Sequence, residues 1–178
     1  MIYFIFFRAF YGLFEQDINL RGQLELEFDE NFKVYPPLRS ESDRIALVQG
    51  ILDGTIDAIS SNHSPQNIES KAVEFDYAET GVLCQQFVLS WYTKYLSKDI
   101  PIDIFISCLT ERPSSALNQS LAKVEEGLEA NLTIFDSNSI WQLNQSNNTS
   151  KSTNTHEWEK EQKGKVVGVF NNNCVKLY

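Results

Sequence analysis

The stretch of the chain that decides the fold runs from Asp53 to Gln66 and reads Asp-Gly-Thr-Ile-Asp-Ala-Ile-Ser-Ser-Asn-His-Ser-Pro-Gln. It begins with an acidic turn, continues with a short apolar strand from Ile56 to Ser60, and ends in a polar cluster. Barrel enzymes place their catalytic groups just past the carboxyl ends of buried parallel strands. Asn62 stands in this cluster, where hydrolytic chemistry would require a carboxylate.

The composition is that of a globular protein with an acidic surface. The chain has 178 residues, of which 42% are hydrophobic and 22% charged, and its net charge is -9. This length allows one domain of ordinary size. Nucleic-acid binding needs clustered Lys and Arg, and the basic residues here are scattered singly. We therefore expect no nucleic-acid partner.

The cysteines bear on location and on metal binding. Cys84, Cys108 and Cys174 lie far apart in the sequence and match no zinc spacing. An odd number of cysteines without a signal peptide predicts reduced thiols in a cytoplasmic protein.

The residues from Ile2 to Phe7 are apolar throughout. This run is too short for a membrane span, which needs about 20 residues, so no membrane partner is expected. It is typical of a strand buried on both faces, which needs a neighbour on each side. Because nothing upstream supplies one, we expect a fragment or a heavily shortened relative of a larger fold. The sheet edge expected near Met1 would favour a homo-oligomer.

Local signals predict alternating strands and helices up to about Leu117. The predicted elements are, in order, a loop over 33–39 with paired prolines, a helix over 41–54 capped by Ser40 or Ser42, the strand Ile56 to Ser60, a helix over 80–96, a helix over 102–110, and a short helix opened by Pro113.

After Leu121 the pattern changes to short strands, predicted over 132–135, 165–170 and 174–178. Asn171 to Asn173 is a suitable hairpin turn between the last two, because Asn tolerates positive φ. The polar stretch 144–156 is predicted to be a mobile or edge-covering loop. We therefore divide the chain into a βα region over 1–120 and a β appendage over 121–178.

Four stretches resemble the carboxyl-terminal part of the dihydroorotases, within the amidohydrolase superfamily. They are Phe-Lys-Val-Tyr-Pro-Pro-Leu-Arg over 32–39, the run from Asp53 to Gln66, Glu-Gly-Leu-Glu-Ala-Asn-Leu-Thr-Ile-Phe-Asp over 126–136, and Ser-Lys-Ser-Thr-Asn-Thr over 150–155. Their order and spacing also match the family, so the resemblance covers nearly the whole chain.

The resemblance implies an α/β fold made of the carboxyl-terminal portion of a (β/α)8 metal-dependent hydrolase barrel and part of a small β-sandwich. It also implies a site with one or two zinc ions. The family reaction is the reversible hydrolysis of dihydroorotate to N-carbamoyl-aspartate in pyrimidine biosynthesis. Zinc lowers the pKa of bound water and polarises the amide carbonyl, while an Asp moves the proton.

At the site the chain departs from the family pattern. The family Asp, a zinc ligand and the general base, matches Asn62, whose amide cannot take a proton at neutral pH. A substrate-binding His matches Gln66, and a substrate-binding Asn matches Tyr35, whose ring would crowd the site. Arg39 and His63 survive as further positions of the substrate site.

Catalysis and zinc binding are both expected to be impaired. Loss of a general base typically costs about two to four orders of magnitude in rate. The segment Phe10 to Phe14 falls where a zinc-binding His is expected and contains none. The other family ligands would lie upstream of Met1, so we expect no zinc bound by this chain.

The residues at and near the site also have plainer interpretations. His63 is either a remnant of the site or a loop histidine hydrogen-bonded to the backbone. Asn62 either contacts a ligand or ends the strand and caps the turn. Arg39 either meets a carboxylate or anchors its loop. His156, beside Glu157 in a polar loop, is predicted to be solvated.

Three hypotheses about function follow. The first is a dihydroorotase-like protein that is not catalytic as this chain stands, and that would need another chain to supply the amino-terminal half of the barrel. The second is a non-catalytic structural partner of aspartate transcarbamoylase, a role known for inactive dihydroorotase-like chains of some bacteria. The third is a decayed gene product without a selected role.

Overall fold

A computed structural model describes residues 28–37, 40–121, 123–171 and 174–178. Two predicted features at the amino terminus, the runs Ile2 to Phe7 and Phe10 to Phe14, lie outside these residues, as does Arg39. The helices are the 3-10 turn Glu30–Phe32, α1 (Glu41–Leu52), α2 (Ile68–Lys71), the 3-10 turn Gln85–Phe87, α3 (Val88–Trp91), the π-helical turn Tyr92–Leu96, α4 (Ile102–Leu109) and α5 (Glu111–Ala116). None of the described helices has the length and apolar character that a membrane crossing requires.

Helix α1 begins and ends as the sequence predicts. The Ser40 hydroxyl accepts a hydrogen bond from the Asp43 main-chain N–H, and the Asp43 carboxylate accepts one from the Ser40 N–H. This reciprocal capping box satisfies two N–H groups that the helix cannot pair internally. The helix ends at Leu52, and Gly54 follows at φ 80°.

The residues from Ile56 to Ser60, predicted as a strand, are extended but belong to no sheet of the described ranges. Ile56, Ala58 and Ile59 are buried, and a single β-bridge forms at Ala58. The N–H of Ile59 donates to the carbonyl of Cys108 at 3.1 Å. The burial expected of a strand is therefore present, although no ladder that includes this segment lies within the described residues.

The helix predicted over 80–96 is wrong in its first turn. Residues 81–84 are not helical: Ser64 N–H donates to the Val82 carbonyl at 3.1 Å and Leu83 N–H donates to the Asn154 carbonyl at 2.9 Å. The first of these bonds occupies a carbonyl that a helix would pair internally. Helical structure begins only at Gln85.

A three-stranded antiparallel sheet follows the helices, with strand order β1-β2-β3. The strands are β1 (Leu132–Gln142), β2 (Glu161–Asn171) and β3 (Cys174–Leu177). The predicted hairpin is confirmed, because Asn171 pairs with Cys174 across the turn. The prediction of a strand over 132–135 is too short, since the pairing with β2 resumes at Ile140 after an irregularity that follows Asp136.

The hydrophobic core joins the helices to the sheet. Phe87, Trp91 and Leu143 are almost completely buried in one cluster, and Trp141 of β1 packs against it. The ring of Phe87 stacks on Trp91 at 5.4 Å and on Trp141 at 5.7 Å between centroids. The division of the chain near residue 120 stays a prediction.

The prediction that His156 is solvated is wrong. Its side chain is 11% exposed and stacks between the rings of Phe32, at 4.5 Å, and Trp91, at 6.1 Å. The neighbouring Asn154 and Thr155 are also buried. The end of the polar loop therefore packs into the core, where these aromatic rings stack against the imidazole.

Candidate functional site

The candidate site is the loop of residues 61–66, here called the site loop. It follows the extended segment that ends at Ser60, and it precedes α2, whose N-cap is Asn67. Asn62 lies in the left-handed region at φ 49°. Asn adopts this conformation more readily than most residues, so the loop can turn sharply directly after the buried segment.

Asn62 links the site loop to the loop that carries the paired prolines. Its side-chain amide donates to the main-chain carbonyl of Tyr35 at 3.2 Å. Tyr35 itself is 74% exposed. Most of Tyr35 faces solvent, and its carbonyl makes the contact with the site loop, while crowding of the site by its ring stays a prediction.

His63 is held by main-chain groups, as the plainer interpretation of this residue predicts. Its Nδ1 accepts hydrogen bonds from the N–H groups of Cys84, at 3.2 Å, and Gln85, at 3.1 Å. The neutral ring therefore carries its hydrogen on Nε2. Burial lowers the pKa of His63, and protonation of Nδ1 would place a third N–H against the two donors.

Gln66 is committed to the scaffold of the loop. Its main-chain N–H donates to Asn154 Oδ1 at 3.0 Å, and its Nε2 donates to the Thr80 carbonyl at 3.0 Å and to Ser64 Oγ at 3.3 Å. Its predicted role in substrate binding stays a prediction, as do those of Asn62, Tyr35 and Arg39. The structure brings Asn62, Tyr35, His63 and Gln66 into one hydrogen-bonded region, whereas Arg39 lies outside the described residues.

Cys84 lies beside the site loop but is chemically unreactive there. Its Sγ donates to the Ser61 carbonyl at 2.9 Å. Burial raises the pKa of this thiol to about 12. Because the thiolate is the nucleophile and the metal ligand, Cys84 serves the packing of the loop rather than its chemistry.

Two residues that sequence reasoning missed hold this region together. Asn154 bonds the site loop through Gln66, as above, and its Nδ2 donates to the Gly81 carbonyl at 3.0 Å. Lys71 is 3% exposed, and its ammonium donates to the carbonyls of Glu30, Glu79 and Gly81. Burial lowers the pKa of this lysine. Asn154 lies in one of the four stretches noted above, whereas no sequence pattern marks Lys71.

The possible metal-ligating groups of this region do not fit a zinc ion. The amide of Asn62 points its hydrogens at a carbonyl, and Nδ1 of His63 is occupied by two N–H groups. Within the described residues no three His, Cys, Asp or Glu side chains lie together in a way that could hold a metal ion.

Comparison with known proteins places the chain among relatives. No protein-family model matches it. The dihydroorotase of Aquifex aeolicus is 39% identical over 139 residues, which are 77% of this chain and 32% of the relative. The dihydroorotase of Caldicellulosiruptor saccharolyticus is 35% identical over 140 residues, 78% of this chain and 33% of the relative. This chain is homologous to part of the dihydroorotases. It spans about a third of the length of these relatives.

Solved structures of amidohydrolases share the fold of this dihydroorotase homologue. The L-hydantoinase from Arthrobacter aurescens matches with a TM-score of 0.70 and 19% identity, over 89% of this chain and 38% of the other. A D-hydantoinase from Thermus sp. matches with a TM-score of 0.67 and 17% identity, over 83% and 34%. At such identity the likeness concerns the fold alone, which is an α/β fragment of these enzymes.

Proposed function

We propose that this chain is a dihydroorotase-like protein of pyrimidine biosynthesis that does not catalyse hydrolysis by itself. Its homology to dihydroorotases supports the family reaction, the reversible hydrolysis of dihydroorotate to N-carbamoyl-aspartate. One observation carries the non-catalytic part of the proposal. Asn62 occupies the position expected for the base, and its amide donates to the Tyr35 carbonyl. An amide in this bond cannot take a proton from water.

The finer architecture is part of the same proposal. The chain would supply the carboxyl-terminal portion of a (β/α)8 barrel over 1–120 and part of a small β-sandwich over 121–178. The buried extended segment before the site loop supports the first part, and the antiparallel sheet from Leu132 onward supports the second. About two thirds of each relative has no counterpart in this chain.

Catalysis in the cytoplasm would require groups that the residues described here do not supply. A complementing amino-terminal half of the barrel would supply them, and a homo-oligomer is a further possible assembly of this chain. In the family these groups hold zinc, which activates water and polarises the amide carbonyl. The residues described here would then position the substrate side of the site without taking part in proton transfer.

A turnover assay tests the proposal. The purified chain, supplied with zinc, is incubated with N-carbamoyl-aspartate, and formation of dihydroorotate is followed against an active dihydroorotase at equal concentration. We expect no formation above the rate without protein. Zinc-dependent turnover that a chelator abolishes would refute the proposal.

A structural role beside aspartate transcarbamoylase is the second candidate. It is favoured by the contrast between an intact hydrogen-bonded scaffold around His63 and the amide at Asn62, since a partner needs the fold and not the base. Gel filtration of the chain with the transcarbamoylase of the same organism should give one stoichiometric peak. Two independent peaks at micromolar concentration would count against this role.

A further inference from the structure

Asn154 makes hydrogen bonds to both of the chain segments that meet at His63. Its Oδ1 accepts from the Gln66 N–H at 3.0 Å, and its Nδ2 donates to the Gly81 carbonyl at 3.0 Å. Its main-chain carbonyl accepts from the Leu83 N–H at 2.9 Å. Asn154 is 8% exposed, so these bonds form away from bulk water and are strengthened by that environment.

The partners of Asn154 lie in the two segments that the His63 ring joins. Residues 81–85, here called the facing segment, supply the two N–H groups that His63 Nδ1 accepts. The facing segment also bonds the site loop directly, through Ser64 N–H and the Val82 carbonyl. Asn154 therefore ties the site loop at Gln66 to the facing segment at Gly81 and Leu83, the same two segments that His63 joins.

The chemistry of the side chain suits this double contact. An amide offers one acceptor and one donor on a single rigid plane, and Asn154 uses the acceptor on the site loop and the donor on the facing segment. Asp at this position would keep the acceptor but lose the donor, and Ala would lose both. The donor contact can thus be removed alone, or together with the acceptor contact.

We propose that Asn154 is a positioning residue of the site, which clamps the site loop to the facing segment and thereby fixes His63 with Nδ1 as acceptor and the hydrogen on Nε2. The inference rests on the proposed function in taking residues 61–66 as the site. It does not depend on turnover, because the state of the His63 ring is read without substrate.

The experiment is nitrogen NMR of the full chain labelled at histidine, at a fixed pH where the ring is neutral. The chain has two histidines, and H63Q assigns their signals. In the unaltered protein we expect a single His63 tautomer with hydrogen on Nε2, and slow exchange of the Gln66 and Leu83 amide hydrogens. N154A should shift the His63 signals towards those of free histidine and speed Leu83 exchange by about tenfold. N154D should keep Gln66 protected while Leu83 exchange rises.

The matched control is N138A, at an exposed position of β1. It removes the same side-chain amide from a residue outside the site loop and the facing segment, so this variant should leave His63 unchanged. A folded N154A or N154D whose His63 and Leu83 signals equal those of the unaltered protein would overturn the inference. If neither variant folds, the unaltered protein decides, since rapid exchange at Gln66 and Leu83 would also overturn it. Turnover in the zinc assay would refute the proposed function and leave this result standing.

Discussion

The side-chain amide of Asn62 donates a hydrogen bond to the main-chain carbonyl of Tyr35, which lies 27 residues earlier in the chain. The bond joins the loop of the paired prolines to the loop that follows the buried extended segment. Because the Tyr35 carbonyl can only accept a hydrogen bond, this contact needs a hydrogen-bond donor at position 62. In the proposed function Asn62 stands in place of the family base, and an ionised Asp at this position could not donate to the Tyr35 carbonyl.

We expect N62D to lower the free energy of unfolding by about 1 kcal/mol at neutral pH, because a carboxylate cannot donate and would face the Tyr35 carbonyl. The same variant should not hydrolyse dihydroorotate, since it restores one carboxylate without a zinc site around it. Urea denaturation and the zinc assay measure the two effects.

N118D is the matched control for this variant. Asn118 is exposed and lies at φ 53°, close to the 49° of Asn62, so the same change of charge is made in the same backbone conformation. We expect N118D to stay within about 0.5 kcal/mol of the unaltered protein. An equal loss of stability in both variants would mean that the Tyr35 contact contributes nothing.

The local features of this fold could be predicted because their causes lie within a few residues. Ser40 and Asp43 form the capping box of α1, and Asn171 pairs with Cys174 at the end of the β2–β3 hairpin. The contact of Gln66 with Asn154 joins residues 88 positions apart, and no spacing in the sequence indicates it. Long-range hydrogen bonds with Ser64 and Asn154 likewise hold residues 81–84 in a non-helical conformation, where local propensity favours helix.

Lys71 shows a second way in which sequence reasoning fails. A lysine is expected at the surface, yet this one is buried and caps three carbonyls of the chain around the site. K71M should lower the free energy of unfolding by about 2 to 4 kcal/mol, because it removes the hydrogen bonds of a buried ammonium to three carbonyls. Chemical denaturation measures the loss.

The control for Lys71 is K98M, which removes the same charge from an exposed position after the π-helical turn. We expect a change below about 0.5 kcal/mol there. Equal stability of K71M and K98M would mean that the hydrogen bonds from the Lys71 ammonium to the three carbonyls do not stabilise the fold.

Glu157 should make stability depend on acid pH. The carboxylate is 2% exposed, accepts from Gln162 at 2.7 Å, and faces His156 at 3.3 Å and Lys94 at 3.7 Å. Burial alone raises the pKa of Glu157, but these partners outweigh it and lower the pKa from 4.5 to about 2. The stabilisation is therefore complete above the unfolded value and is lost as the pH falls towards the folded one.

The expected size of this loss is about 3 kcal/mol between neutral pH and pH 2. Urea midpoints measured from pH 7 to pH 2 follow it. E157Q should be less stable at pH 7 and should lose less stability on acidification, whereas E129Q, at an exposed position, should keep the full dependence. Parallel curves for E157Q and the unaltered protein would contradict the assignment.

Substitution of Gly81 tests how closely the facing segment approaches the site loop. It lies at φ +130°, and a Cβ there would stand 2.4 Å from the Ser64 carbonyl oxygen, whereas Gly127 lies at φ +86° with nothing within 4 Å of its added Cβ. G127A therefore measures the backbone cost alone, about 1 kcal/mol. G81A adds a clash with main-chain atoms and should cost about 3 kcal/mol or more. Thermal and urea denaturation of the two variants compare these costs directly. Because the clash would push Ser64 and residue 81 apart, G81A should also disturb the His63 signals, which G127A should leave unchanged.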